Sequence, residues 1–307
     1  MKRSMKPRHA HMAALLLLVA CGGEQGAKES KGEIYVSFPP LAQFAKRIVG
    51  TAIPVRCPLP GDVDPAAWKP SRDEIALFQS ATLVLVHGAE LEGWVGKASL
   101  PTSRVVDVSR GLSSDFVQIV HPGHAHGAGG EGTHSHVDSH VWMDPTLAKR
   151  QAEAILEAVV QRWPELEKDA RARFLQLAAD FDTLDQRWRA LAPKLAAAKH
   201  YNASHNFAYL AKRYGFEFKA ELHVAPMTAP VPEALAELKK QVEGEGKKLL
   251  WWETPPSAEV RQVLSDSFDF VHVVLDSGEA AGLDGSDADY FEAQRKNLDA
   301  VEAALSA

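Results

Sequence analysis

Cysteine is scarce in this chain: two residues in 307, Cys21 and Cys57. A protein of this size with two thiols is not held together by a disulfide framework. Positive charge is also in short supply, with 34 Lys and Arg against 40 Asp and Glu and a net charge of −6. That balance excludes the basic footprint of a nucleic-acid binder. The apolar run 12–20 falls short of the roughly 20 residues that span a bilayer, so a polytopic membrane protein is excluded. Residues 165–192 contain neither glycine nor proline. No HExxH pair occurs anywhere. What is abundant is histidine: there are 13, and six of them fall between His121 and His140. The remaining composition, 46% hydrophobic and 24% charged, is that of an ordinary globular chain, and the length suits about two domains.

Lys2, Arg3, Lys6 and Arg8 precede the run 12–20, which ends in Leu18-Val19-Ala20-Cys21-Gly22-Gly23. This is the layout of a secretion signal. Its end resembles the bacterial lipobox, which implies cleavage before Cys21 and lipidation of that thiol. The mature chain would then carry 30 basic and 40 acidic residues. Residues 21–31 are small and polar and suit a flexible tether. Cys57, left without a partner, reads as a half-buried thiol.

From residue 32 onward short apolar strands alternate with amphipathic helices. Strands are expected at 33–38, 52–57, 83–86 and 104–108, with helices at 41–49 and 70–80 and a short one at 91–95. The expected N-terminal α/β lobe covers 32–145. It includes the stretch 121–136, rich in Gly and His and without periodicity, which reads as a mobile loop. Asp144-Pro145 supplies an N-cap and an N1 proline. A helical region follows over 146–196. Within it Leu166, Ala170, Phe174, Leu177, Phe181, Leu184, Trp188 and Leu191 step by three or four residues. About 30 residues at 1.5 Å each make a rod of about 45 Å, long enough to join two lobes. A helical hairpin broken near Asp180 is the competing reading. In the C-terminal lobe, 197–307, strands are expected at 201–203, 216–222, 248–253 and 268–276. The expected helices there are 206–214, 232–243, 257–265 and 287–305. The expected architecture is α/β: two parallel-sheet lobes bridged by one long helix, without a repeat between them.

In open parallel sheets, ligands bind beyond the carboxyl ends of the strands. Four polar residues stand there: His140, His205, Glu253 after Leu249-Leu250-Trp251-Trp252, and Asp276 before Ser277-Gly278. Imidazoles and a carboxylate converging from two lobes form a transition-metal ligand set. Each also has a plainer role: His205 as a solvated helix start, Asp276 as the cap of its turn, Glu253 as the partner of Arg261 or a lysine. The pairs His124/His126 and His134/His136 strengthen the metal reading, because short His tracts favour borderline divalent ions.

These residues resemble the cluster A-I substrate-binding proteins of bacterial metal ABC transporters, in their zinc-uptake branch. The resemblance runs through VSFPPLAQFAKRIVG, PLPGDVDPAAWKPSRDEIALFQSATLVLVHGAELEGW, DSHVWMDP, ASHNFAYLAKRYGFE, LLWWETPPS, VVLDSG and YFEAQRKNLDAVEAAL. It implies two α/β lobes on a rigid helix, with Zn2+ carried between them as transported cargo. It further implies a lipid-anchored monomer in the periplasm or on the cell surface that hands zinc to a permease driven by a cytoplasmic ATPase, with no catalysis. Metal ligands are implied at His140, His205 and Asp276, with Glu253 behind them. The family's first histidine falls on Ala66, which has no lone pair to give. His87, a loop histidine (His121, His124, His126, His134 or His136) or water would complete the site. Manganese or iron as cargo, zinc storage or adhesion, and a zinc hydrolase with three protein ligands and a water are the alternative readings.

Overall fold

In the computed structural model, residues 32–61, 63–121, 134–203, 206–242, 244–279 and 289–307 are described. The first half alternates β1 (Ile34–Val36), α1 (Pro39–Val49), β2 (Val55–Arg56), α2 (Arg72–Ser80), β3 (Leu83–Val86) and β4 (Val105–Asp107). The strands pair only in parallel, in the order β2-β1-β3-β4. Neighbouring residues of a strand face opposite sides of the sheet. Accordingly Ile34, Val36, Leu83 and Leu85 join the central core, whereas Tyr35, Val84 and Val86 join an outer cluster with Trp68, Phe78 and Trp94. Ser71 and Glu74 form a reciprocal capping box at the start of α2. The short helix expected at 91–95 is instead a 3-10 turn at Val95–Lys97.

The His-rich stretch is not wholly irregular. β5 (Gln118–His121) and β6 (His134–Val137) pair antiparallel, with His121 opposite His134. His124 and His126 lie outside the described residues.

Next come α3 (Pro145–Arg162), capped by the Asp144 side chain on the Thr146 N–H, and α4 (Glu167–Ala197). α4 is one helix of 31 residues, not a hairpin, and spans about 46 Å. Its buried residues Ala170, Leu177, Leu184 and Leu191, and Phe181, Trp188 and Leu195, recur every seven positions, a stripe that buries one face along the whole rod. Pro193 sits inside the last turns, and lacking an N–H it makes no i→i−4 bond of its own there.

The second half repeats the alternation: β7 (Lys199–Asn202), α5 (Ala208–Tyr214), β8 (Phe218–Glu221), α6 (Pro232–Gln241), β9 (Lys248–Trp252), α7 (Ala258–Phe268), β10 (Phe270–Val274) and α8 (Tyr290–Ser306). Its sheet is also parallel, in the order β10-β9-β7-β8. Leu249, Trp251, Val273 and Leu275 enter the same central core as lobe one's inner residues, while Tyr201, Leu250, Trp252 and Phe270 form an outer cluster. The lobes therefore share one hydrophobic interior around α4. α8 crosses back to lobe one: Phe44 of α1 packs edge-on against Tyr290, and the Tyr290 N–H donates to Gln43 Oε1 at 2.6 Å. Among the described residues no helix is long and apolar enough to cross a membrane.

Candidate metal centre

His140 stands just before the 3-10 turn Val141–Met143 that leads into α3. Three devices fix it. Asp138, only 1% exposed, accepts both the His140 backbone N–H (2.9 Å) and its Nδ1–H (2.7 Å) on Oδ1. The Tyr209 hydroxyl, from α5 of the other lobe, donates to the Asp138 carbonyl at 2.7 Å. His87 Nε2 donates to the carbonyl of Ser139 at 2.8 Å. With Nδ1 occupied by a carboxylate, the His140 ring turns Nε2 toward the cleft, the usual orientation device behind a metal-binding histidine.

What meets Nε2 comes from lobe two. Glu279 Oε1 lies 3.0 Å away. Glu253, at the end of β9, completes a group in which one donor atom each from His140, Glu253 and Glu279 all lie within 4.8 Å of one another. All three side chains are half-buried. Donors around a tetrahedral zinc, at bonds of about 2.0–2.2 Å, stand about 3.4 Å apart, so closing the group on an ion requires only small side-chain movement. Asn206 Nδ2 hydrogen-bonds Glu253 Oε2 from the chain just beyond β7.

The electrostatics couple the imidazole to the acids around it. Burial raises the Glu253 carboxyl above its ordinary range, and the neighbouring charge of Glu279 adds to the rise. Burial alone lowers a histidine, yet His140 is raised to about 10, because hydrogen bonds and ion pairs to Asp138 and Glu279 more than offset it. Both its ring nitrogens therefore carry protons when the two carboxylates are its partners.

The other expected ligands are placed differently. His205 lies outside the described residues, between Ala203 at the end of lobe two's central strand and Asn206. Asp276 is exposed, and its Oδ1 accepts the Gly278 N–H at 2.7 Å. His87, expected as a substitute for the missing first histidine, does not reach the group. It is fully buried, its Nε2 serves Ser139, and its Nδ1 accepts from Gln151 Nε2 at 3.1 Å. Burial pushes it down to about 3, so it is a neutral strut with no free lone pair. Gly88 beside it has φ +76, a left-handed conformation that favours glycine at this strand exit. Ala66 is exposed, its N–H held by Asp64 Oδ1 at 2.8 Å. Of the loop histidines within the described side chains, His136 is exposed on β6. Sequence reasoning missed Glu279, Asp138 and Tyr209. The first two had a signal: an acid three residues past Asp276, and an acid two residues before His140.

Comparison with known proteins adds an independent finding. The family described as zinc-uptake complex component A, periplasmic (ZnuA), matches residues 34–304. The chain is 29% identical over 304 residues to the high-affinity zinc uptake system protein ZnuA of Bacillus subtilis, covering 95% of each. It is 28% identical to the zinc-binding lipoprotein AdcA of Streptococcus pneumoniae, covering 94% of this chain and 58% of that one, so AdcA extends well beyond the shared part. Among solved structures, the metal-dependent lipoprotein YcdH of B. subtilis superposes with a TM-score of 0.76 at 26% identity, over 88% of this chain and 98% of that one. The Zn(II)-bound ZnuA-like domain of S. pneumoniae AdcA gives 0.73 at 22% identity, over 90% and 99%, a likeness of fold.

Proposed function

This chain belongs to the periplasmic zinc-uptake component A family, and we propose that it captures zinc outside the cytoplasm and passes it to an ABC import permease driven by a cytoplasmic ATPase. The observation that carries this reading is the meeting of the His140 imidazole from lobe one with Glu253 and Glu279 from lobe two in one cleft. The family is a transport component, and the chain acts by binding and release. The ligand set of the proposal is His140, His205 and a carboxylate of the turn after β10, with Glu253 beside them. The N-terminal 20 residues serve as a lipoprotein signal, Cys21 carries the lipid, and 21–31 tether the protein to the membrane. The lobes 32–145 and 197–307 flank the helical region 146–196.

Zinc is the cargo, and the chain's residues prepare for it. Asp138 keeps the Nδ1 proton of His140 and thereby commits Nε2 to the cleft. An incoming cation displaces the Nε2 proton that Glu279 otherwise holds. The freed carboxylates neutralise the ion in a half-buried site where charge interactions are stronger than in water. Zinc exceeds manganese and iron in affinity for such mixed nitrogen and oxygen donors.

The test is a titration of the full chain with zinc against a competing chelator. One tight zinc is expected, weakened at least about tenfold in His140→Ala, a loss on the scale of disturbing even an outer-shell partner. Parental affinity in His140→Ala would place the cargo elsewhere.

A further inference from the structure

His87-Gly88-Ala89-Glu90-Leu91-Glu92 leaves the carboxyl end of β3 as an arch of unusual backbone. Gly88, Ala89 and Glu90 take φ +76, +48 and +64 in succession. Left-handed backbone is unfavourable for a residue with a Cβ and rarely occurs in series, so the arch persists because its surroundings hold it. The half-buried Glu92 side chain supplies that hold. Its Oε1 accepts the His87 N–H at 2.6 Å and the Ser37 hydroxyl from the exit of β1, and its Oε2 accepts the Gly88 N–H at 3.0 Å. The Leu91 N–H closes on the Gly88 carbonyl at 3.0 Å. One acid thereby ties the end of the arch to its beginning and to the neighbouring strand.

The arch grips the segment that carries His140 at three points. Glu90 Oε2 accepts the Val137 N–H at 3.0 Å. His87 Nε2 donates to the Ser139 carbonyl at 2.8 Å, the same carbonyl that accepts the Val141 N–H at 2.7 Å. Ala89 shares a hydrophobic cluster with Val141, Leu147 and Tyr209. Positions 137, 139 and 141 lie on both sides of His140, so the exit of β3 sets the backbone from which the imidazole projects. Granting the zinc reading above, we infer that Glu92 is a positioning residue for His140, acting through the arch that it locks against residues 137–141. A carboxylate suits the place because three donors meet its two oxygens, where an amide would set an N–H against a donor.

The experiment compares full-length Glu92→Gln, Val159→Ala and His140→Ala with the parent. It uses zinc titration against a competing chelator, metal-free thermal unfolding, and proton NMR of the His140 Nδ1–H, assigned by its loss in His140→Ala. Val159 is fully buried in the central core and sits about 20 Å along α3 from Pro145, so truncating it lowers stability without touching the arch. Glu92→Gln is expected to lose at least about fivefold in zinc affinity and to shift the Nδ1–H resonance. Val159→Ala is expected to lower the unfolding temperature, with zinc affinity within about twofold of the parent and the resonance in place. A smaller loss in Glu92→Gln overturns the inference. So does an unshifted resonance, and so does an equal affinity loss in Val159→Ala, which would trace the effect to stability alone. If Glu92→Gln fails to fold, the Glu90 pair decides. Glu90→Ala is expected to lose at least about threefold, and Glu90→Gln, whose amide oxygen still accepts the Val137 N–H, to recover it. A smaller loss in Glu90→Ala, or no recovery in Glu90→Gln, overturns the inference. Parental zinc binding in His140→Ala signals a different failure, that of the zinc site itself.

Discussion

The two sides of the cleft contribute unequal things. Among the described residues, lobe one brings one imidazole to the cleft, that of His140, framed by Asp138, His87 and Trp142 and by Gln151 of α3. Among the described residues, lobe two offers two carboxylates, Glu253 and Glu279, on strand exits whose own support comes partly from across the cleft, through the Trp142 to Ser277 hydrogen bond. The traffic runs both ways, since Tyr209 of α5 holds the Asp138 carbonyl and Arg213 of α5 pairs with Asp144 at 2.6 Å. Under the proposed zinc reading, the difference teaches that neither lobe forms the site alone. Donors are spread over both, and the precision of each donor depends on a residue of the other. A shared interior around α4 suits that arrangement, because lobes with a common core cannot swing apart without exposing it.

Removing the common core should break the comparison outright. Trp188 is fully buried on α4 and stacks on Tyr214 of lobe two at 5.4 Å. Trp188→Ala is expected to cost about 3–5 kcal/mol, read as a lower midpoint in denaturant unfolding of the metal-free chain. A loss below 1 kcal/mol would mean that the lobes stand independently of the rod.

The lobe-one frame comes next. Asp138→Asn keeps shape and removes the charge behind His140, and the expected cost is about 10–100-fold in zinc affinity with little change in the far-ultraviolet circular dichroism. Unchanged affinity would show that the frame merely packs.

Acidity sharpens the contrast between imidazole and carboxylates. His140 is raised to about 10 in the metal-free protein, above its ordinary value near 6.5. Its ion pairs therefore stabilise the metal-free fold fully below pH 6.5, and that contribution is lost as pH rises through about 10. Zinc binding runs the other way, since the ion must displace the proton. Apparent affinity should climb about tenfold per pH unit between pH 6 and 9, with about one proton released per zinc. Calorimetry in two buffers of different ionisation enthalpy measures that proton, and its absence at pH 7.5 would contradict a protonated His140.

The smallest effect tests the traffic from lobe two to lobe one. Tyr209→Phe deletes one hydroxyl that both donates to Asp138 and accepts the Val117 N–H at 3.2 Å. About 1 kcal/mol, or fivefold in zinc affinity, is expected, with most of the change in the release rate. Stopped-flow transfer to a chelator reads it directly.

The alternation of strands and helices, the Asp144-Pro145 helix start and the seven-residue stripe of α4 were legible because each depends on local periodicity and backbone chemistry. The sequence singled out His140 as a polar residue beside a short apolar segment, and the structure places it against Glu279 and Glu253. Glu279 was not singled out. Two acids in Asp276-Ser277-Gly278-Glu279 look alike in a sequence, and the choice between them was made by Asn297 and Trp142, 21 and 135 residues away. His87 shows the opposite error: a strand-end histidine that read as a donor has both nitrogens consumed by Ser139 and Gln151, 52 and 64 residues distant.

The sequence by itself determined the fold class, the family and the order of the parallel strands and main helices, since these follow from hydrophobic period, capping residues and motif order along the chain. Only the tertiary structure decided which carboxylate meets the His140 imidazole and which histidine is spent as a strut. A side chain's availability depends on the hydrogen-bond partners that folding brings to it, and those partners come from far along the chain.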